Sequence, residues 1–190
     1  MNKWPPNDFA LKVPSEVSYL GDHGSPRWGF EVQPGMHRCS WTKLLLDKDA
    51  NPMVFDDQTL QVVVGSGMLY LPVGKGAVTV VTDFLREIYR RIDREIRDNC
   101  HIRQARIRLP VPVDFWFTVP AVWSEQAKSL MEQAVRGAGF GSRRMDRLFT
   151  IAEPEAAALS VFHNASADLK VSWHWWNVDI VQLIIGNAAS

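Results

Sequence analysis

Apolar positions along the chain recur with two different periods. In the segment 76–98, GAVTVVTDFLREIYRRIDREIRD, Val78, Val81, Leu85, Ile88, Ile92 and Ile96 fall three or four apart, which predicts an amphipathic helix with one apolar stripe. Its other face is dense in Arg, Asp and Glu. Opposite signs three and four apart make that face a solvated one laced with ion pairs, rather than a nucleic-acid surface. In contrast, Val113-Asp114-Phe115-Trp116-Phe117-Thr118-Val119 is a short run of β-branched and aromatic residues. It predicts a strand buried on both faces and closed by Pro120.

The next stretch predicts one repeat of strand, helix and strand. Ser124 is an N-cap followed by Glu125 and Gln126, and Ala127, Leu130, Met131, Ala134, Val135 and Ala138 return at helical spacing, a helix of about four turns. Gly137, Gly139 and Gly141 stand where it ends, because glycine enters the left-handed C-terminal cap at little steric cost. Leu148-Phe149-Thr150-Ile151 supplies the second strand. A crossover helix of this length favours parallel pairing with a right-handed connection. Glu153 then stands at the carboxyl end of that strand, before Pro154, which suits a first helical turn because its missing N–H would have had no partner. From the residues alone, Glu153 caps a helix and Pro120 ends a strand, unless their context gives them chemistry.

Upstream, Lys12–Tyr19 and Arg27–Val32 are two strand-like runs around a polar Gly-Asp-His-Gly turn at 21–24. Trp41-Thr42-Lys43-Leu44-Leu45-Leu46-Asp47 follows, with Lys43 as a surface lysine on an amphipathic helix. Residues 48–74 read as an irregular insertion around a short strand at Gln61–Val64.

Composition narrows the classes. Lys plus Arg and Asp plus Glu are 21 each in 190 residues, so no polyanion-attracting field is implied. At 46% hydrophobic content the chain can bury one domain-sized core, although eight tryptophans are many for its size. Cys39 and Cys100 are far apart and lack metal-ligand spacing, as expected in a reducing compartment. The five histidines show no zinc pairing. No signal peptide or run of eighteen apolar residues is present, so the expectation is a cytoplasmic chain without a membrane partner.

Two turns carry a resemblance: Thr118-Val119-Pro120-Ala121 and Ala152-Glu153-Pro154-Glu155-Ala156-Ala157-Ala158. With the strands and helices around them they resemble the nucleotide-binding domain of the seventy-kilodalton heat-shock chaperones, in the superfamily of actin and the sugar kinases. Three further blocks in matching order extend it: the early hairpin with Pro14-Ser15-Glu16-Val17, the Trp41–Asp47 segment, and Leu71-Pro72-Val73-Gly74-Lys75-Gly76-Ala77-Val78. The resemblance implies an α/β fold, a partial actin-like ATPase (ribonuclease H-like) lobe with a mixed sheet and flanking helices. It implies ATP and magnesium as ligands. It places Glu153 beside the γ-phosphate and a magnesium-bound water, Lys43 against phosphate, and Pro120 in a switch that relays nucleotide state. Lys128 stands where the family has the arginine that works with that proline; it keeps the charge but loses the planar fork.

The departures from the family are equally specific. The glycine- and threonine-rich hairpin that wraps backbone N–H groups around phosphates is expected upstream of Met1. Where the second such hairpin is expected, the chain reads Asp168-Leu169-Lys170-Val171-Ser172-Trp173-His174-Trp175-Trp176-Asn177-Val178-Asp179. Asp179 aligns with that motif's last aspartate, but indoles cannot approach a phosphate as glycine backbone does. The sequence therefore divides into 1–162, part of a first lobe, and 163–190, an atypical segment with a degenerate phosphate loop. A mis-bounded gene model or a degenerate paralogue would each produce this pattern. Phosphoryl transfer depends on positioning by both loops and a closing lobe, so ATP hydrolysis is expected to be lost or residual. The alternative is a non-catalytic interaction module that binds a polypeptide client or partner protein through its exposed cleft face.

Overall fold

A computed structural model describes residues 13–19, 26–40, 42–47, 71–103, 112–165, 174–178 and 181–185. The chain is a mixed α/β structure. Strands β1 (Glu16–Ser18), β2 (Arg27–Trp28) and β3 (Cys39–Ser40) form an antiparallel sheet in the order β2-β1-β3. Helix α1 (Ala77–Arg103), strand β4 (Asp114–Val119), helix α2 (Glu125–Ala138), strand β5 (Arg147–Ala152) and helix α3 (Glu153–Ala165) follow. Strands β6 (His174–Val178) and β7 (Val181–Ile185) pair antiparallel, and β7 runs close to β4. Helix α3 thus continues past residue 162, where the sequence suggests a boundary.

The strand, helix, strand unit forms as its pattern predicts. β4 and β5 are parallel, in register from Asp114↔Arg147 to Val119↔Ala152. Ser124 caps α2, its Oγ accepting the Ala127 N–H at 3.2 Å. Gly139 closes the same helix in the left-handed region at φ 111°. β4 buries Phe115, Phe117, Thr118 and Val119, but Asp114 and Trp116 stay half-exposed, so its burial is complete on one face only. On the other face Trp116 stacks on its register partner Phe149, centroids 4.4 Å apart at 17°.

The core lies where β4 meets α1 and α2. Phe140, just past the end of α2, packs edge-on against Phe115 (5.1 Å), Phe117 (5.0 Å) and Tyr89 (4.9 Å). Such edge-to-face contacts add to the area term of burial. From α1, Val81, Leu85, Ile88 and Ile92 of the predicted stripe are buried, with Val78 and Ile96 partly so; Val80 and Phe84 widen it.

Two expectations are corrected. Arg27–Val32 is not one strand, because β2 ends after two residues and the chain enters a 3-10 turn at Gly29–Glu31, with Gly29 at φ 56°. Trp41–Asp47 is not an amphipathic helix either: Thr42–Leu46 forms a five-residue 3-10 helix. Its burial follows no apolar stripe: Thr42, Lys43, Leu46 and the following Asp47 are buried, whereas Leu44 is exposed. The expected strand at Gln61–Val64 and the residue Asp179 lie outside the described residues.

Candidate functional site

The carboxyl ends of β4 and β5 lie side by side in a parallel pair, the position where open α/β sheets place their ligands. Glu153 follows β5 directly and is the first residue of α3. The 3-10 helix Thr42–Leu46 brings Lys43 to it. Lys43 Nζ lies 2.6 Å from Glu153 Oε1 and donates at 3.4 Å to the carbonyl of Thr118, near the end of β4. The same ammonium stands 5.6 Å from the centre of the Trp123 ring, within cation–π range.

Lys43 is therefore not the surface lysine that its local sequence suggests. Its side chain is 9% exposed, against 47% for Glu153. An ammonium withdrawn from water must find compensation, and the carboxylate, carbonyl and indole provide it from three separate elements. Helical periodicity cannot reveal this, because the partners lie 75 and 110 positions away.

A second contact steadies the same corner. The carboxylate of Asp47, also buried, accepts the Ser124 N–H at 3.3 Å and the Ser124 hydroxyl at 3.1 Å. Ser124 thus donates its hydroxyl proton to Asp47 while its oxygen caps α2. This places a negative charge at the amino end of α2, where the helix dipole favours it. Nothing in the local sequence singled out Asp47; its signal was only that it ends the Trp41–Asp47 block.

The remaining predicted residues are dispersed. Pro120 is half-buried after β4, and its carbonyl accepts the Trp123 N–H at 3.2 Å. Lys128 lies in the first turn of α2 and pairs with Glu125 of the same helix at 2.6 Å. The geometry joins Lys43 to Glu153, and leaves the ammonium of Lys128 on its own helix. Among the described residues no group of three His, Cys, Asp or Glu is placed to hold a metal ion, and no helix is long and apolar enough to cross a membrane.

Glu153 offers a half-exposed carboxylate and Lys43 a fixed cation at the amino end of α3, where backbone N–H groups favour anions. A carboxylate is the ligand type that magnesium takes along with waters and substrate phosphates. No family model, curated protein or solved structure matches the chain.

Proposed function

We propose that the chain is part of a heat-shock 70-like, actin-like ATPase lobe that retains a remnant of an ATP site, with hydrolysis lost or residual. The observation that carries this reading is the Lys43–Glu153 pair at the carboxyl ends of two parallel strands. The resemblance assigns these same two residues to phosphate and to a magnesium-bound water, from sequence blocks more than a hundred positions apart. Lys43 would hold a phosphate oxygen, and Glu153 would orient water on the magnesium ion. The ion would neutralise phosphate charge when bound. Pro120, with Lys128, would be the remnant of the switch. Tryptophans in the 168–179 segment take the place of phosphate-wrapping glycines, which is why turnover is not expected.

The test is thermal unfolding of the full chain with and without magnesium-ATP. A ligand at about a hundred times its dissociation constant adds about 2.7 kcal/mol, a rise in Tm of several degrees for a chain of this size. Lys43→Met should abolish the rise. No shift at millimolar magnesium-ATP would overturn the ATP reading and leave the non-catalytic interaction module.

A further inference from the structure

We propose that the outer face of α1 is a docking groove for an extended acidic segment of a partner protein, one that carries carboxylates at alternate positions. This surface is separate from the Lys43–Glu153 corner and does not depend on the ATP reading.

Tyr89, Arg90, Asp93, Arg94 and Arg97 line an open concavity of 360 Å³. Arg90, Arg94 and Arg97 lie at i, i+4 and i+7, on one stripe of the helix. Other arginines of α1 are engaged within the helix: Arg86 with Asp83, Arg90 with Glu87, Arg91 with Glu95, and Arg97 with Asp93. Arg94 is exposed and has no ion-pair partner among the described residues. Of the four positions that reach it along the helix, three are Arg90, Arg91 and Arg97, and the fourth is Asp98. Like charges at these spacings work against an isolated helix, so the stripe is better suited to an external anion than to its own stability.

A second element adjoins the groove through Tyr89. The Tyr89 hydroxyl hydrogen-bonds Ser142 Oγ at 3.1 Å, which ties the turn after α2 to the groove. That turn carries Arg143, held by Asp146 through two hydrogen bonds, and Arg144, exposed and without a partner among the described residues.

Spacing and charge select the occupant. Arg90 and Arg94 are about 6 Å apart along the helix axis, close to the roughly 6.6 Å between alternate residues of an extended chain, whose side chains share a face. One glutamate can therefore meet Arg94 while a glutamate two residues away competes with Glu87 for Arg90, an exposed pair that contributes little. A longer polyanion is disfavoured, because Glu87, Asp93 and Glu95 interrupt the positive stripe and the whole chain has no net charge.

Fluorescence anisotropy of a labelled peptide with glutamates at alternate positions, titrated with the full chain in low salt, tests this directly. The expected result is saturable binding that weakens with added salt. Arg94→Glu should weaken it by about twofold to fivefold, the scale of one exposed charge pair, and Arg94→Lys should retain most of it. Arg94→Glu should also favour a peptide in which one glutamate is replaced by lysine. Circular dichroism of each variant separates lost binding from lost fold. Absence of binding, binding indifferent to Arg94→Glu in a folded chain, or tighter binding of an oligothymidylate or of phosphatidylserine vesicles would overturn the proposal.

Discussion

Lys43 and Glu153 stand 110 positions apart in the chain and 2.6 Å apart in space, but they are not equal partners. The lysine side chain is 9% exposed and the glutamate 47%. Removing the lysine leaves a carboxylate that water can reach; removing the glutamate leaves a largely buried ammonium with only the Thr118 carbonyl and the Trp123 ring beside it. Glu153→Gln should therefore destabilise the chain more than Lys43→Met. Breaking a fully buried pair costs about 3–5 kcal/mol, and the exposure of Glu153 reduces this to roughly 2 kcal/mol, with about 1 kcal/mol for Lys43→Met. Urea unfolding of both single variants and the double variant would measure the asymmetry and the coupling. Equal losses would show that the ammonium is better solvated than its burial implies.

Asp47 acts on α2 through Ser124, so both side chains belong to one capping unit. Loss of an N-cap costs about 0.5–2 kcal/mol. Ser124→Ala should fall in the upper part of that range, because it removes the cap and also strips the buried Asp47 carboxylate of a donor. Asp47→Ala should cost less for α2, since Ser124 Oγ still accepts the Ala127 N–H. The double variant should be clearly less destabilised than the sum of the two, as expected for residues in one network. Strict additivity in denaturant unfolding would mean that the Asp47–Ser124 contact contributes nothing.

The strand, helix, strand unit was legible in the sequence because each of its signals is local. Ser124, the period of Ala127 to Ala138 and Gly139 lie within a few residues of the structure they determine, and the predicted parallel pairing of β4 and β5 is present. The Thr42–Leu46 segment was misread for the complementary reason. Its five residues carry too little periodicity to be classified, and the environment of Lys43 is set by Thr118, Trp123 and Glu153. Periodicity could not place Lys43 beside Glu153, because the two lie 110 positions apart in the chain. The groove on α1 was visible only as a charge run; that Arg94 differs from its paired neighbours required coordinates.

Gly139 is needed for two separate reasons. Its φ of 111° is a conformation that L side chains rarely adopt, and a Cβ there would lie 3.0 Å from the Tyr89 ring. Tyr89 is itself packed against Phe115 and Phe140, so the ring has little room to retreat. Gly139→Ala should destabilise by at least about 1 kcal/mol, combining backbone strain and crowding, and lower Tm by a few degrees. Gly76→Ala is the matched control, since nothing lies within 4 Å of a Cβ at that position. A Gly139→Ala chain as stable as the control would contradict the left-handed cap.

Tyr19, Asp83 and Cys39 give the fold a pH window. The Tyr19 hydroxyl donates to Asp83 Oδ2 at 2.9 Å, and the same carboxylate receives Lys75 at 3.0 Å and Arg86 at 2.7 Å. Burial, then the hydrogen bond to Asp83 and its negative charge, push the Tyr19 phenol well above its ordinary value. Burial likewise raises the Cys39 thiol, against the pull of Lys75. For Asp83 burial acts upward, but the hydrogen bonds from Lys75, Tyr19 and Arg86 and the charge of Lys75 outweigh it and hold the carboxyl below the ordinary range. A raised acid keeps its proton longer in the folded chain, so the contributions of Cys39 and Tyr19 are complete below about pH 8.5 and pH 10 respectively and are lost as pH climbs past those unfolded values. The lowered Asp83 contributes above about pH 4 and is lost as pH falls through its folded value. The urea midpoint should therefore hold a plateau between these limits and fall on both sides. Tyr19→Phe should flatten the alkaline fall above about pH 10 while leaving the part that begins near pH 8.5. An identical alkaline limb in Tyr19→Phe and the parent chain would mean that the phenol ionises as freely in the folded chain as in the unfolded one, and would overturn this account of the alkaline limb.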